Sequence, residues 1–222
     1  MKCRAVLFDL DGTLLDTIED IKMTMNQALK KNGFETFSVQ DYKQFVGKGV
    51  DLLIRKVMEV LAVDKSMFDV LKRDYFEIYK SQSKVNTKIY QGIKELLYEL
   101  KKMGISVNVL SNKPHLQTID VIDYYFESSV FDVVYGKKEN YLPKPAPDLA
   151  LNLIERINVL PEETIYVGDT SVDILTAKNA GFKSIGVLWG FRDRLELLEA
   201  KSDFIVDKPE QILEIIKSIN LI

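Results

Sequence analysis

Short apolar runs alternate with segments of helical periodicity from about Val85 to the end of the chain, and this alternation constrains the fold more than any other feature. Each apolar run has the length of a strand, and the segments between runs repeat apolar residues at the spacing of an amphipathic helix. Strands connected through helices run parallel in one sheet, which the helices cover on both faces. The predicted strands are residues 105–110, 131–135, 164–167, 184–188 and 204–206, and the predicted helices are residues 114–125, 147–157, 172–179 and a last helix around 212–219.

The apolar run at residues 4–8 belongs to the same sheet, but a helical segment separates it from the other predicted strands. In residues 17–83 the apolar positions repeat with helical spacing, and no strand pattern is evident. The sequence therefore predicts an α/β fold: a doubly wound, Rossmann-like, mostly parallel sheet with an inserted all-helical domain. The predicted boundaries are residues 1–15 and 85–222 for the α/β domain and residues 16–84 for the helical domain.

The composition argues against several classes of function. A formal net charge of −3 is not that of a protein with the clustered basic surface that binds nucleic acid. No apolar run reaches the length of a membrane span, and the start of the chain lacks the apolar core of a signal peptide. Cys3 is the only cysteine, so no intramolecular disulfide or cysteine-rich metal site is expected. These features favour a cytoplasmic protein that binds neither nucleic acid nor membrane, as a monomer or a homodimer.

Polar side chains follow four of the predicted strands, at the edge where ligands bind in open α/β sheets. Each of them alone has an ordinary structural explanation, since an aspartate after a strand often caps the next helix. Together they indicate one site. The candidates are Asp9, Asp11 and Thr13 after the first strand, Ser111 and Asn112 after residues 105–110, Lys144 between two prolines, and Asp169 and Asp173 after residues 164–167.

Convergence of Asp9, Asp11 and Asp169 at this edge would require a cation. Two carboxylates about 4 Å apart repel each other by on the order of 4 kcal/mol at an effective dielectric constant near 20. Oxygen ligands favour a hard ion, Mg²⁺ before softer metals. With Lys144, a hydroxyl and an amide nearby, the site would bind a phosphoryl group. One carboxylate could then act as a nucleophile that forms an aspartyl phosphate, and a second as acid and base.

These segments resemble the motifs of the haloacid dehalogenase superfamily, in its phosphatase branch. The sequence DLDGTL at residues 9–14 is similar to the first motif, and SNK at residues 111–113 is similar to the second. Lys144 in Pro-Lys-Pro resembles the third, and GDTSVD at residues 168–173 resembles the fourth. The helical insert resembles the small cap of the phosphoglycolate phosphatase and β-phosphoglucomutase group, so the resemblance covers essentially the whole chain.

The resemblance implies a role for each acidic residue. Asp9 would attack phosphorus and bind Mg²⁺. Asp11 would protonate the leaving oxygen, deprotonate the attacking water and bind Mg²⁺ through its backbone carbonyl. Asp169 would bind the metal through its side chain, and Asp173 would orient Lys144 or a metal-bound water.

The resemblance also implies how a phosphoryl group would be held. Ser111 and Lys144 would contact its oxygens, with Asn112 nearby, and Thr13 would shape the loop. The implied enzyme is a phosphoric monoester hydrolase that acts on a small phosphorylated metabolite, and it is most similar to phosphoglycolate phosphatases.

Other functions stay open at this point. Within the same group, a pyrophosphatase, a broad sugar-phosphate or nucleotide phosphatase and a β-phosphoglucomutase-like phosphotransferase are alternatives. The arginine-bearing stretch associated with the mutase is not evident, which disfavours that activity. Gly47, Lys48 and Gly49 could contact the far end of the substrate, or they could form only a turn between helices. A signalling receiver domain and a catalytically silent binding protein are the alternatives outside enzymes, and the helical insert and Asp11 argue against them.

Overall fold

The computed structural model describes residues 2–221, and the chain forms two compact units in it. One unit contains the residues up to Leu15 and from Ile89 onward, and the other is Asp16–Lys88. The elements in chain order are β1 Ala5–Phe8, β2 Leu15–Asp16, α1 Ile18–Lys31, α2 Val39–Phe45, α3 Val50–Val60, α4 Phe68–Gln82, β3 Lys88–Ile89, α5 Ile93–Lys102, β4 Ser106–Pro114, α6 His115–Tyr125, β5 Val133–Lys137, α7 Asp148–Arg156, β6 Thr164–Gly168, α8 Ser171–Ala180, β7 Lys183–Val187, α9 Arg194–Glu199, β8 Phe204–Val206 and α10 Glu210–Leu221.

A six-stranded sheet in the order β5-β4-β1-β6-β7-β8 forms the centre of the first unit. Neighbouring strands in it are parallel, so the predicted α/β fold with a parallel sheet is confirmed. Its strands are rich in apolar residues because both faces are covered. Across residues 2–221, no helix combines the length and the apolar character needed to cross a bilayer.

Side chains of β1 alternate between the two faces of the sheet, as the period of a strand requires. Val6 and Phe8 lie in an apolar cluster with residues of α5, α6 and α10. Ala5 and Leu7 lie in a second cluster with residues of α7 and α8. All four side chains are buried, so β1 is a central strand packed on both faces.

The register of the sheet brings three segments of the chain to one edge. Phe8, the last residue of β1, is paired with Val109 of β4 and with Val167 of β6. Asp9 directly follows, and its backbone N–H donates to the Val167 carbonyl at 2.9 Å. The loops after β1 and β6 and the last residues of β4, from Leu110 onward, therefore lie side by side at the carboxyl edge of the sheet.

Helices α1 to α4 form the second unit around buried side chains such as Met25, Ile54 and Leu71. The unit ends after Lys88 instead of after the predicted residue 84. The reason is the carboxylate of Asp20 in α1, which accepts hydrogen bonds from the backbone N–H groups of Asn86 and Thr87, both at 2.9 Å. These bonds keep the segment after α4 on α1.

Candidate active site

A buried lysine joins two of the predicted carboxylates at the carboxyl edge of the sheet. Lys144 Nζ donates to Asp9 Oδ1 at 2.8 Å and to Asp173 Oδ1 at 2.7 Å. It also donates to the hydroxyl of Tyr166 at 2.9 Å, and that hydroxyl donates to the Leu110 carbonyl at 2.6 Å. All of these polar side chains are buried. The ammonium group thus lies at a fixed position between the loop after β1 and the first turn of α8.

Asn112 positions the backbone that carries this lysine. The Lys144 N–H donates to Asn112 Oδ1 at 2.8 Å, and Asn112 Nδ2 donates to the Lys144 carbonyl at 3.2 Å. The amide group of Asn112 therefore clamps both polar backbone groups of Lys144, at the end of β4. Ser111 is buried beside it, and its hydroxyl oxygen accepts a hydrogen bond from the Lys113 N–H at 3.2 Å.

Three buried carboxylates converge next to Lys144. Asp9, Asp169 and Asp173 each place a carboxylate oxygen within 4.8 Å of the other two. Asp11 was predicted to converge with Asp9 and Asp169. Its charge adds to burial in raising the pKa of Asp9, but its carboxylate is not one of these three clustered groups. The Asp11 carboxylate instead forms an ion pair with Lys113, whose Nζ lies 2.9 Å and 3.0 Å from its two oxygens. Asp173, at the first turn of α8, completes the cluster in its place.

The Asp169 carboxylate is enclosed by two hydrogen-bond donors and by the backbone of two glycines. Its Oδ2 accepts a hydrogen bond from the Phe191 N–H at 2.8 Å, and its Oδ1 accepts one from the Thr13 hydroxyl at 3.3 Å. Gly12, at φ +94°, and Gly190 leave room for it, since a Cβ at either position would overlap the Asp169 side chain. Thr13 thus contacts a carboxylate of the cluster directly.

Asp173 belongs to the carboxylate cluster and also accepts hydrogen bonds at the start of α8. Its Oδ2 accepts hydrogen bonds from the N–H and the hydroxyl of Thr170, the N-cap residue of α8, at 3.0 Å and 2.7 Å. Its Oδ1 accepts from Lys144. Gly168 at the end of β6 allows this arrangement, because a Cβ there would overlap Asp173. The predicted contact between Asp173 and Lys144 is present.

The cluster carries more negative charge than Lys144 can balance. Burial raises the pKa of Asp9 to about 6, although Lys144 opposes the rise. Burial and then the charges of Asp173 and Asp9 raise the pKa of Asp169 well above its usual range. Burial alone would lower the pKa of Lys144, but Asp173 and Asp9 hold it well above the usual value. Buried carboxylates with an uncompensated charge and oxygen donors fit a hard divalent cation such as Mg²⁺.

The structure also shows two site residues to which the sequence analysis gave no role. Lys113 was visible as the third residue of the SNK segment, and it forms the ion pair with Asp11. Tyr166 supports Lys144 from within the apolar strand β6, and nothing in the sequence distinguishes it from a core residue. Gly47, Lys48 and Gly49 belong to the second unit, where Gly49 is the N-cap residue of α3. Their contact with a substrate stays a prediction.

Comparison with known families gives one match over most of the chain. A family model described as haloacid dehalogenase-like hydrolase matches residues 6–187. The four segments that form the site at the sheet edge lie within this range.

Two relatives and one solved structure have closely similar lengths. The phosphoglycolate phosphatase of Vibrio vulnificus (strain CMCP6) is 32% identical over 219 residues, which cover 96% of each chain. The phosphoglycolate phosphatase of Aquifex aeolicus (strain VF5) is 31% identical over 216 residues, again 96% of each chain. The structure of a predicted phosphoglycolate phosphatase from Haemophilus somnus 129pt superposes with a TM-score of 0.91 at 25% identity, covering 97% of this chain and 98% of that one.

Proposed function

The chain belongs to the haloacid dehalogenase-like hydrolase family and is a phosphatase, and from this premise we propose that it hydrolyses a small phosphomonoester through an aspartyl-phosphate intermediate. The observation that carries the proposal is the buried contact between Asp9 and Lys144 at 2.8 Å. At the carboxyl edge of the sheet, this ammonium group can bind the negative oxygens of a phosphoryl group while the carboxylate beside it faces phosphorus.

In the first step, an oxygen of Asp9 attacks phosphorus and forms the P–O bond of the acyl phosphate. The bond from phosphorus to the ester oxygen breaks, and Asp11 gives its proton to that oxygen, so the alcohol leaves neutral. In the second step, water attacks the phosphorus of the intermediate while Asp11 takes its proton. The bond to Asp9 breaks, which releases inorganic phosphate and restores both carboxyl groups.

Lys144 and Ser111 would hold the phosphoryl oxygens, and Asn112 would keep Lys144 in place through its backbone. Asp9 and Asp169, with the backbone carbonyl of Asp11, would hold Mg²⁺. When bound, the ion would neutralise charge at the phosphoryl oxygens, as metal ions do in phosphoryl transfer. Asp173 would orient Lys144, and the hydrogen bond between them supports this role. The charge of the three buried carboxylates supports the binding of a cation.

For the substrate we propose 2-phosphoglycolate or a closely similar phosphomonoester, because two relatives named phosphoglycolate phosphatase match over nearly their whole length. We also propose that Asp16–Lys88 acts as a cap domain and that Lys48, between Gly47 and Gly49, contributes to substrate choice. If the Lys48→Ala variant keeps the wild-type order of substrates and their kcat/KM values, the role of Lys48 is refuted.

A substrate panel tests the proposed function. Release of inorganic phosphate is measured from 2-phosphoglycolate, pyrophosphate, β-glucose 1-phosphate and nucleotides, with Mg²⁺ and after removal of metal with EDTA. We expect Mg²⁺-dependent turnover with the highest kcat/KM for 2-phosphoglycolate. The Asp9→Asn variant should lose turnover, while the Asp203→Asn variant, altered at an ion pair elsewhere in the first unit, should keep it. If Asp9→Asn keeps wild-type turnover, the assignment of Asp9 as the nucleophile is refuted.

A further inference from the structure

Lys113 and Asp11 form a second ion pair, separate from the contacts of Lys144, in which Lys113 is buried and Asp11 is partly buried. Lys113 Nζ lies 2.9 Å from Oδ1 and 3.0 Å from Oδ2 of Asp11. Their side chains are only 7% and 19% exposed. In the proposed mechanism Lys144 binds the phosphoryl group, Asp173 orients Lys144 and Asp11 acts as acid and base. Lys113, which faces Asp11, has no role in it.

The backbone at Lys113 is held firmly. Its N–H donates to Ser111 Oγ at 3.2 Å, and its carbonyl accepts a hydrogen bond from the Thr118 hydroxyl at 3.1 Å. The adjacent strand approaches so closely at Gly136 that a Cβ there would overlap the Thr118 hydroxyl and the Lys113 carbonyl. Any change of partner by Lys113 must therefore come from its flexible side chain.

Neither the backbone position of Asp11 nor a large gain in stability depends on this lysine. The loop that carries Asp11 is closed by its own backbone, since the Gly12 N–H donates to the Leu15 carbonyl at 2.8 Å and the Leu14 N–H donates to the Leu10 carbonyl at 3.1 Å. A buried ion pair contributes little net stability, because desolvation of both charges offsets their attraction. An ammonium group at this place is better explained by a ligand that needs it.

The position of the pair identifies the part of a substrate that it would meet. Asp11, as the proton donor, must come within about 3 Å of the ester oxygen. Lys113 Nζ lies at hydrogen-bond distance from both oxygens of Asp11, so the ammonium group faces the leaving group, whereas Lys144 faces the nucleophile. In 2-phosphoglycolate the carboxylate is separated from the ester oxygen by a single methylene group, which places it within reach of the same ammonium group.

We propose that Lys113 binds an anionic group on the leaving-group side of the substrate, and that it thereby selects phosphomonoesters with a carboxylate next to the ester carbon. This inference rests on the proposed function and assigns a specificity residue to it. Because a lysine ammonium donates up to three hydrogen bonds, Lys113 can turn from Asp11 to the carboxylate without leaving the site. Asp11 then faces the ester oxygen.

A pair of substrates separates recognition of the carboxylate from any effect on Asp11. The kcat/KM values for 2-phosphoglycolate and for ethyl phosphate, which lacks the carboxylate, are measured for the wild type and for Lys113→Met. The wild type should prefer 2-phosphoglycolate. The variant should lower the ratio of the two values by about 10- to 100-fold, as expected for one charge-assisted hydrogen bond, mainly through a higher KM for 2-phosphoglycolate. Lys113→Arg should restore part of the ratio.

Equal losses on both substrates, an unchanged ratio or a wild type without preference would overturn the inference. The matched control is Lys183→Met, which removes a lysine from another aspartate pair, with Asp203 at 2.7 Å, and should leave the ratio unchanged. If Lys113→Met fails to fold by near-UV circular dichroism, Lys113→Gln takes its place.

A binding measurement separates this inference from the proposed function. In the Asp9→Asn variant, which should not turn over substrate, calorimetry gives Kd for 2-phosphoglycolate and for inorganic phosphate. Adding Lys113→Met should raise Kd for 2-phosphoglycolate about 10- to 100-fold and leave Kd for phosphate unchanged. Equal changes for both ligands refute the role of Lys113. Absence of turnover by the wild type, with the selective loss of binding still observed, refutes only the proposed function.

Discussion

Replacement of Asp9 by asparagine should stabilise the metal-free protein at neutral pH. Burial raises the pKa of the Asp9 carboxyl from 3.8 to about 6 in the folded chain, against the attraction of Lys144. The folded state therefore binds a proton that the unfolded state has already lost, and the free energy of unfolding falls as the pH rises through the interval between these two values. Asparagine has nearly the shape of the protonated carboxyl group and does not titrate.

The size of the effect follows from the same two values. A rise from 3.8 to about 6 corresponds to about 3 kcal/mol, since one pKa unit is worth about 1.4 kcal/mol. We expect Asp9→Asn to exceed the wild type in free energy of unfolding by about 3 kcal/mol at about pH 7.5 and to equal it at about pH 3.5, below both pKa values.

Urea denaturation in EDTA across this pH range measures the difference. The control is Asp203→Asn, because hydrogen bonds from Lys183 and Ser184 outweigh burial and hold the pKa of Asp203 below its usual value. The Asp203→Asn variant should have a lower free energy of unfolding than the wild type at neutral pH, and the difference should vanish in acid. A destabilised Asp9→Asn protein at about pH 7.5, or a difference that does not change with pH, would refute the charge argument. Mg²⁺ should stabilise the wild type more than Asp9→Asn.

Three further substitutions or probes test other parts of the first unit. Gly12→Ala should destabilise the protein by more than about 1 kcal/mol in thermal denaturation, because φ at Gly12 is +94° and the new Cβ would overlap Asp169. The same overlap should reduce the stabilisation by Mg²⁺, and unchanged stabilisation by Mg²⁺ would contradict this. Burial raises the pKa of the Cys3 thiol to about 12, so a thiol reagent at about pH 8 should label the chain only as urea unfolds it. Rapid labelling of the native protein would show that the Cys3 thiol is not buried. Asn112→Ala should lower the free energy of unfolding by about 1–3 kcal/mol and reduce kcat, since it removes both hydrogen bonds to the Lys144 backbone; wild-type kcat for p-nitrophenyl phosphate would show that the clamp has no role in turnover.

The sequence was sufficient to predict the sheet because apolar runs of strand length alternate with segments of helical periodicity along most of the chain. The acidic residues after the first run indicated a ligand edge only together with the polar residues that follow three other predicted strands. The carboxyl ends of parallel strands meet at one edge, which predicted that Asp9, Asp169 and the segment with Ser111 lie together. The register pairs Phe8 with both Val109 and Val167 and so brings these segments side by side. The family assignment, made from four short motifs, is confirmed by the match over residues 6–187.

Side-chain partners could not be predicted in the same way. Asp11 was predicted to converge with Asp9 and Asp169 because it follows the first strand at the carboxyl edge of the sheet. In the structure its carboxylate meets Lys113, while Asp173 enters the cluster from the first turn of α8. The choice depends on side-chain directions after a turn, which neither spacing nor periodicity determines. Tyr166 was missed for a related reason, since a buried hydroxyl in an apolar strand is indistinguishable from core packing until its partner is known.

The position of β1 between β4 and β6 has a consequence for synthesis of the protein on the ribosome. β1 leaves the ribosome before β4 and β6, the two strands that pair with it, because both lie beyond the segment Asp16–Lys88. That segment is continuous and helical, so its contacts are local, and it can fold while the apolar residues of β1 have no partner. Until β4 and β6 are made, the nascent chain exposes a strand with both edges unpaired, which is the kind of species that chaperones bind.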